Sequence, residues 1–441
     1  MSITKLLTKK PERTLFTTPS HNQHAVFNKE FENFYRHDLS EIEGFDNLQD
    51  PKSAILMAQG KVSDILKTKQ TFFVVQGATT ALLAAMKALI SPGDKVLAAR
   101  NCHKTVFNGL LLTAGLVDWF MPEVDPNWGI YTHIDPDKLS QTLELNDYKA
   151  FILTSPTYEG INSDIETIAQ ICRNHNTYLI VDEAHGSLYN FAPDLPKTAI
   201  EQGADVSINS LHKTAGALNQ CALLNVSNTI KNIDIEIFQK ALNIFQTTSP
   251  SYPLLENIEA CINFLNSNQG ALELSNLLNE INKLKPELER FGIELYSSEN
   301  HDPTKILLRK EGISGCELSQ TLFDNFNIED EMNNSISCLY LTGVGTTKQK
   351  LDKLKQALKK VPTNPSYKYI PADFQPHPLV KIQPVGTFNR EYVYVNRADA
   401  LLKISNKLIM PYPPGFGVLY PGEAIQEWHL KYLGNDVQII C

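Results

Sequence analysis

From about residue 70 the chain alternates short apolar runs with amphipathic stretches, and no other feature restricts its fold as much. Strands joined by helix-length segments pair parallel, because a parallel neighbour is reached only through a crossover. The apolar runs at 71–76, 95–99, 117–122, 150–154, 178–182, 205–208 and 221–226 therefore predict one α/β domain on a mainly parallel seven-stranded sheet. Between the first two runs, ATTALLAAMKALI carries small and apolar residues at helical spacing and stops at Pro92-Gly93. That helix opens directly after Gln76-Gly77, where a glycine lets backbone N–H groups approach an anion. Taken alone, Gly77 reads as a tight turn without a ligand.

Beyond about residue 230 the pattern turns helical, through DIEIFQKALNIF, QTTSPSYP and a charged amphipathic stretch closing near Arg290. A second, smaller α/β unit is expected over 291–362, with KQKLDKLKQALKK at 348–360 as a solvated helix. The proline-rich 362–378 reads as a linker, and PYPPGFGVLYPGE at 411–423 as an irregular loop. The expected division is an N-terminal arm over 1–60, a large domain over 61–290, the small unit over 291–362 and a C-terminal subdomain over 363–441. No internal repeat is visible.

A formal charge of −9 argues against a general nucleic-acid binder, which gathers Lys and Arg to neutralise phosphates. The seven cysteines are scattered without a C-x-x-C pair, so reduced thiols are expected and no metal site is. The first residues lack the apolar core of a signal peptide, and no window approaches a membrane span, so a cytoplasmic location is the expectation.

Two segments carry the chemistry, YLIVDEAHG at 178–186 and SINSLHKT at 207–214. Asp182 falls at the carboxyl end of a buried strand, where α/β sheets present ligand-binding groups. Lys213 follows one helix and one strand later, so both reach the same rim. An enzyme using pyridoxal 5'-phosphate (PLP) needs such a pair. The lysine condenses with the aldehyde, and the carboxylate keeps the pyridine nitrogen protonated so that the ring withdraws electrons. Burial would lower the lysine's pKa and free its amine. DEAH after an apolar strand is also a nucleotide-hydrolase motif, but that chemistry requires G-x-x-x-x-G-K-[ST] upstream. It is absent, since Gly60-Lys61 is followed by Val62.

With TPSHNQ near the start, DLSEIEGFDNLQDP at 38–51, FFVVQGATTA at 72–81, GDKVLAARNCHKTV at 93–106, LTSPTYEG at 153–160, VDEAHG, SLHKT, QTTSPSYP and PYPPGFGVLYPGE in order, the sequence resembles the Orn/Lys/Arg decarboxylase family across nearly its whole length. These are PLP enzymes of the aspartate-aminotransferase fold (fold type I). The resemblance implies Lys213 as the Schiff-base lysine, Asp182 as the partner of the pyridine nitrogen and His103 as the residue stacked on the ring. It places Gly77, Ala78 and Thr79 on one side of the phosphate cup and Ser210 and His212 on the other, with Ala184 and His185 beside the ring and the substrate carboxylate. Thr248 and Ser249 would reach the neighbouring subunit's cofactor, which implies a homodimer or a higher homo-oligomer with shared sites.

Two departures stand out. Ala78 replaces a serine of the family pattern, removing one hydroxyl, and Pro19-Ser20-His21-Asn22-Gln23 replaces PGHK-x-G. The implied reaction is decarboxylation of a basic amino acid, with arginine ahead of lysine and ornithine, in a short form without the family's N-terminal wing domain. A distal cation needs a carboxylate in the pocket. Glu423 is the expected one by resemblance, with Asp46 and Glu41 behind it. An aminotransferase remains the rival, with Arg390 or Arg397 as its carboxylate anchor, and a PLP-binding regulatory homologue of low turnover is the third reading.

Overall fold

The computed structural model describes residues 2–8, 17–25, 27–411 and 416–441. Its largest element is a seven-stranded sheet of β1 (Gln70–Val74), β2 (Lys95–Ala99), β3 (Leu116–Phe120), β4 (Ala150–Thr154), β5 (Tyr178–Asp182), β6 (Val206–Ser210) and β7 (Ala222–Val226). The spatial order is β1-β7-β6-β5-β4-β2-β3. Side chains alternate along each strand onto opposite faces. Val96, Ala98, Ile152 and Ile180 join one buried cluster, whereas Leu97, Ala99, Phe151, Leu153, Leu179 and Val181 join the cluster on the other face. With both faces covered, the central strands are apolar at every position, as in the fully buried AFILT of β4.

Strands β2 to β6 pair parallel, as the alternation predicts, but β7 runs antiparallel to both β1 and β6. The cause is the connection. Residues 211–221 hold only the short helix Leu211–Thr214 and a turn, too little chain to cross back to the other end of the sheet. The chain therefore re-enters at the rim where Lys213 sits.

The N-terminal segment packs on the helical layer. Ile3 and Leu7 share a buried cluster with Phe73, Leu255, Ile258 and Ile306, and the Ile3 N–H donates to Glu259 Oε2 at 2.7 Å. Asp46 caps the helix Ala54–Leu66, accepting from the N–H groups of Lys52 (2.8 Å), Ser53 (2.9 Å) and Ile55 (2.8 Å). Burial opposes its charge, but these donors outweigh it and hold the carboxyl below the usual range. Its hydrogen-bonding capacity is spent on the backbone, which removes it from the candidate substrate contacts. Glu41 lies in the same stretch and does not line the cavity around Lys213.

A second sheet, antiparallel throughout, contains β8 (Ile293–Leu295), β9 (Lys305–Lys310), β10 (Met332–Asn333) and β11 (Cys338–Leu341) in the order β8-β9-β11-β10. The helix Lys348–Lys360 buries Leu351, Leu354, Ala357 and Leu358 and turns most of its lysines outward. The last residues form a two-stranded ribbon, β12 (Tyr392–Asn396) with β13 (Asp436–Ile440). The stretch expected as a linker does more than connect, since Gln375 is buried and accepts from Arg100 Nε at 3.3 Å.

Candidate active site

A cavity of about 500 Å³ opens at the carboxyl ends of the parallel strands. Gly77, Ala78, Thr79, His103, Asp182, Ala184, His185, Ser210, His212 and Lys213 all line it. These residues come from the ends of β1, β2, β5 and β6, so the topology gathers what the sequence spreads over 137 positions.

Gly77 turns the chain from β1 into the helix Gly77–Leu89 at φ +83°, a conformation that a side chain would strain. Its N–H donates to Gln220 O at 2.8 Å, fixing the turn. The first-turn N–H groups that follow have no partners within the helix, as at any helix start, and Ala78 and Thr79 of that turn line the cavity. Opposite them, Ser210 Oγ lies 3.3 Å from His212 Nδ1. Donors on both sides of a small space suit a dianion.

Lys213 is held in the short helix after β6, and its Nζ donates to His185 Nε2 at 3.0 Å. The same Nζ lies 5.4 Å from the centre of the Tyr158 ring, which tilts against His185 at 4.7 Å. Burial pushes the Lys213 amine below the usual lysine range, against the attraction of Asp182 and Glu331. His185 is driven well below its ordinary value by burial first and by Lys213 next, so it stays neutral and accepts. Asp182, at the end of β5, accepts from the Ala184 N–H at 3.2 Å. Across the cavity, His103 Nδ1 accepts from the Thr105 N–H at 3.3 Å and lies 2.7 Å from its hydroxyl, which leaves the ring proton on Nε2. Burial lowers His103 as well, and Asp182 pulls the other way.

Several lining groups escaped the sequence reading. Tyr158 and Thr154 both face the cavity, and the Thr154 hydroxyl is buried without a hydrogen-bond partner among the described residues. Both lie in LTSPTYEG, a motif whose individual side chains carried no separate signal. Lys305 opens β9 fully buried, with Nζ 3.5 Å from His185 O and 3.9 Å from Asp302. Nothing local marks it as different from a strand-edge lysine.

Other expected groups lie elsewhere. Glu423 is 2 % exposed and gives both oxygens to Arg100, at 2.6 and 2.9 Å. Arg100 is itself fully buried between Trp119 (4.8 Å) and Tyr420 (4.7 Å). This carboxylate is paired to a guanidinium of its own chain and does not line the cavity around Lys213. Thr248 and Ser249 are exposed, beside the edge where the Thr247 N–H donates to Gln76 Oε1 at 2.5 Å. Arg390 and Arg397 donate to the carbonyls of Gly386 and Leu433 and do not line the cavity, so the aminotransferase anchor is missing from both. In the altered N-terminal motif, His21 Nε2 lies 3.1 Å from Asp38. Of the PYPPGFGVLYPGE loop, residues 412–415 lie outside the described residues.

The donor set fits PLP. An amine that burial pushes below the usual lysine range is available from Lys213, a carboxylate from Asp182, a flat wall from His103 and a helix start for a phosphate, all around one space. A doubly wound sheet with this arrangement at its rim defines a Schiff-base enzyme of fold type I.

Comparison with known proteins agrees. Residues 3–306 match the pattern of the Orn/Lys/Arg decarboxylase major domain. An arginine decarboxylase of Bacillus anthracis is 30% identical over 446 residues, covering 96% of this chain and 90% of its own. One from Bacillus subtilis (strain 168) is 29% identical over 443 residues, with the same coverage of 96% and 90%. Among solved structures, the lysine decarboxylase LdcF of Francisella novicida superposes with a TM-score of 0.82 at 17% identity, covering 100% of this chain and 81% of that one. The chain belongs to the Orn/Lys/Arg decarboxylase family, and it is a PLP-dependent amino-acid decarboxylase.

Proposed function

We propose that the protein converts arginine to agmatine in a homodimer, with Lys213, Asp182 and His103 as the catalytic residues. The carrying observation is the buried Lys213–His185 contact facing Asp182 and a helix start within one cavity. Arginine is favoured over lysine and ornithine because the relatives matched along 96% of the chain are arginine decarboxylases.

PLP, when bound, supplies the electron sink that accepts the pair released as CO2 leaves. Lys213 would hold it, since burial lowers the amine below the usual lysine range and so favours the unprotonated form that attacks an aldehyde. Asp182 would hold the proton on the ring nitrogen. His103, with its proton on Nε2, gives the cavity a flat wall that orients the bond to be broken. His185, kept neutral by burial, accepts a hydrogen bond from Lys213 Nζ at 3.0 Å and orients the amine. Gly77, Ala78, Thr79, Ser210 and His212 would seat the phosphate, with Ala184 against the ring. Ala78 offers no hydroxyl, so the backbone carries more of that duty.

Thr248 and Ser249 of a second copy would complete the cup, which accounts for two exposed hydroxyls beside Gln76. Among the described residues no helix is long and apolar enough to cross a membrane, and a cytoplasmic location is proposed with the activity. The test is incubation of the PLP-loaded protein with arginine, lysine and ornithine while CO2 and the amine product are followed. Agmatine and CO2 are expected fastest from arginine. Amino transfer that depends on a keto acid and yields no CO2 would reject the proposal.

A further inference from the structure

Next to the catalytic cavity lies a second one of about 360 Å³, at the low end of the volumes that hold small ligands. The two share a wall. Tyr158 faces the first and Glu159 the second, while Phe416, which lines the second, makes a backbone bridge with His103 of the first. The walls are aromatic: Tyr131 meets Phe374 at 5.1 Å and Phe416 at 5.3 Å, and Trp428 meets Tyr432 at 4.8 Å.

Glu159 is 6% exposed and turned to this space. Among the described residues its carboxyl hydrogen-bonds only to the Thr157 side chain and its own backbone, and burial raises it to about 7. A buried carboxylate with no cation beside it is costly, and a cation entering the cavity would relieve that cost. The wall already shows its preference, because Lys431 Nζ rests 4.3 Å from the centre of Trp428 and 5.3 Å from Tyr432. That ammonium is half-exposed and lies 3.5 Å from Asp373, while Glu159 is buried.

We propose that this second cavity binds a small guanidinium or alkylammonium group, with Glu159 as its counter-charge. The group belongs either to a free organic cation or to the far end of the substrate reaching through the shared wall. The second source rests on the decarboxylase reading above.

The test is calorimetric titration of the PLP-loaded protein with butylguanidine, which has no primary amine to react with the cofactor, and with butylurea, its uncharged counterpart. Saturable binding of butylguanidine, at least tenfold weaker binding of butylurea and at least tenfold loss in Glu159→Gln are expected. Tyr432→Leu, at a half-exposed wall position, should weaken butylguanidine several-fold and serves if the first variant does not fold. Equal affinity for the two probes, or unchanged butylguanidine binding in both variants, overturns the proposal.

Competition separates the sources. If the substrate tail enters, butylguanidine competes with arginine and Glu159→Gln raises KM more than it lowers kcat. If a free cation is held, arginine turnover and butylguanidine binding coexist. Absence of decarboxylation with intact probe binding would reject only the activity, and absence of binding with intact decarboxylation would reject only this site.

Discussion

Replacing Glu423 by alanine strands the guanidinium of Arg100 inside the protein. The pair has 0% and 2% side-chain exposure, so water cannot replace the lost carboxylate. Two of the guanidinium's contacts vanish with Glu423, at 2.6 and 2.9 Å, leaving Gln375 Oε1 at 3.3 Å and Val418 O at 3.1 Å. Glu423 Oε2 also accepts from the Tyr420 N–H at 2.9 Å, a bond lost as well. Breaking a buried pair from one side costs about 3–5 kcal/mol, a large part of the ~5–15 kcal/mol that holds a domain together. At roughly 1 °C per kcal/mol for a chain of this size, the melting temperature should fall by about 3–5 °C. Replacing both partners with methionine removes both buried charges and should recover most of the loss. The assay is thermal unfolding of the PLP-loaded wild type, Glu423→Ala and the double variant, with arginine kinetics on each. A Glu423→Ala protein as stable as wild type, with KM for arginine raised and kcat preserved, would refute the structural role and restore Glu423 as a substrate contact.

Lys213→Ala should lose both the visible absorbance of the bound cofactor and arginine decarboxylation, and turnover comparable to wild type would contradict the assignment. Because burial lowers the Lys213 amine, the rate at which cofactor-free protein captures PLP should reach its plateau at a lower pH than for a free lysine side chain; a midpoint at the ordinary lysine value of 10.5 would refute this. Asp46→Ala should cost about 0.5–2 kcal/mol, as the loss of a helix cap does, with KM for arginine unchanged; a raised KM would return Asp46 to the pocket. His429, buried and lowered to about 4, binds its proton less tightly than the unfolded chain. Its contribution to stability is therefore present above the unfolded value of 6.5 and lost as pH falls toward 4. His429→Gln, which keeps an acceptor for the Gln426 N–H, should show a shallower decline of the urea midpoint over that window, and identical slopes would refute the reading.

Fold and chemistry were legible to different depths for a physical reason. Strands buried on both faces announce themselves as unbroken apolar runs, so the β4 and β5 bounds, 150–154 and 178–182, follow from the residues alone. The direction of β7 did not, because it depends on the length of a connection that looks like one more crossover. Lys213 and Asp182 were legible since strand ends share a rim, and that needs only their order along the chain. The pairing of Glu423 with Arg100 was not legible, because the two lie 323 positions apart and no local pattern couples them. Glu159 passed unnoticed within a motif, since its isolation from any cation is a property of the cavity and not of LTSPTYEG.

Burial alone does not sort these charges into structure and chemistry; the partner does. Arg100 and Glu423 are both buried and answer each other completely, so neither has capacity left for a ligand. Asp46 is answered by backbone donors, with the same result. Lys213 is partly buried, and its nearest neighbour is a neutral imidazole at 3.0 Å, which accepts a hydrogen bond without cancelling a charge. The amine is therefore left reactive by the same desolvation that makes the Arg100 pair inert. Glu159 resembles Lys213 in this respect, since burial raises it and no cation is among the groups that act on its carboxyl. A buried ionisable group with no ion-pair partner in contact marks a place where another molecule can supply one, and in this protein Lys213 and Glu159 line two neighbouring cavities.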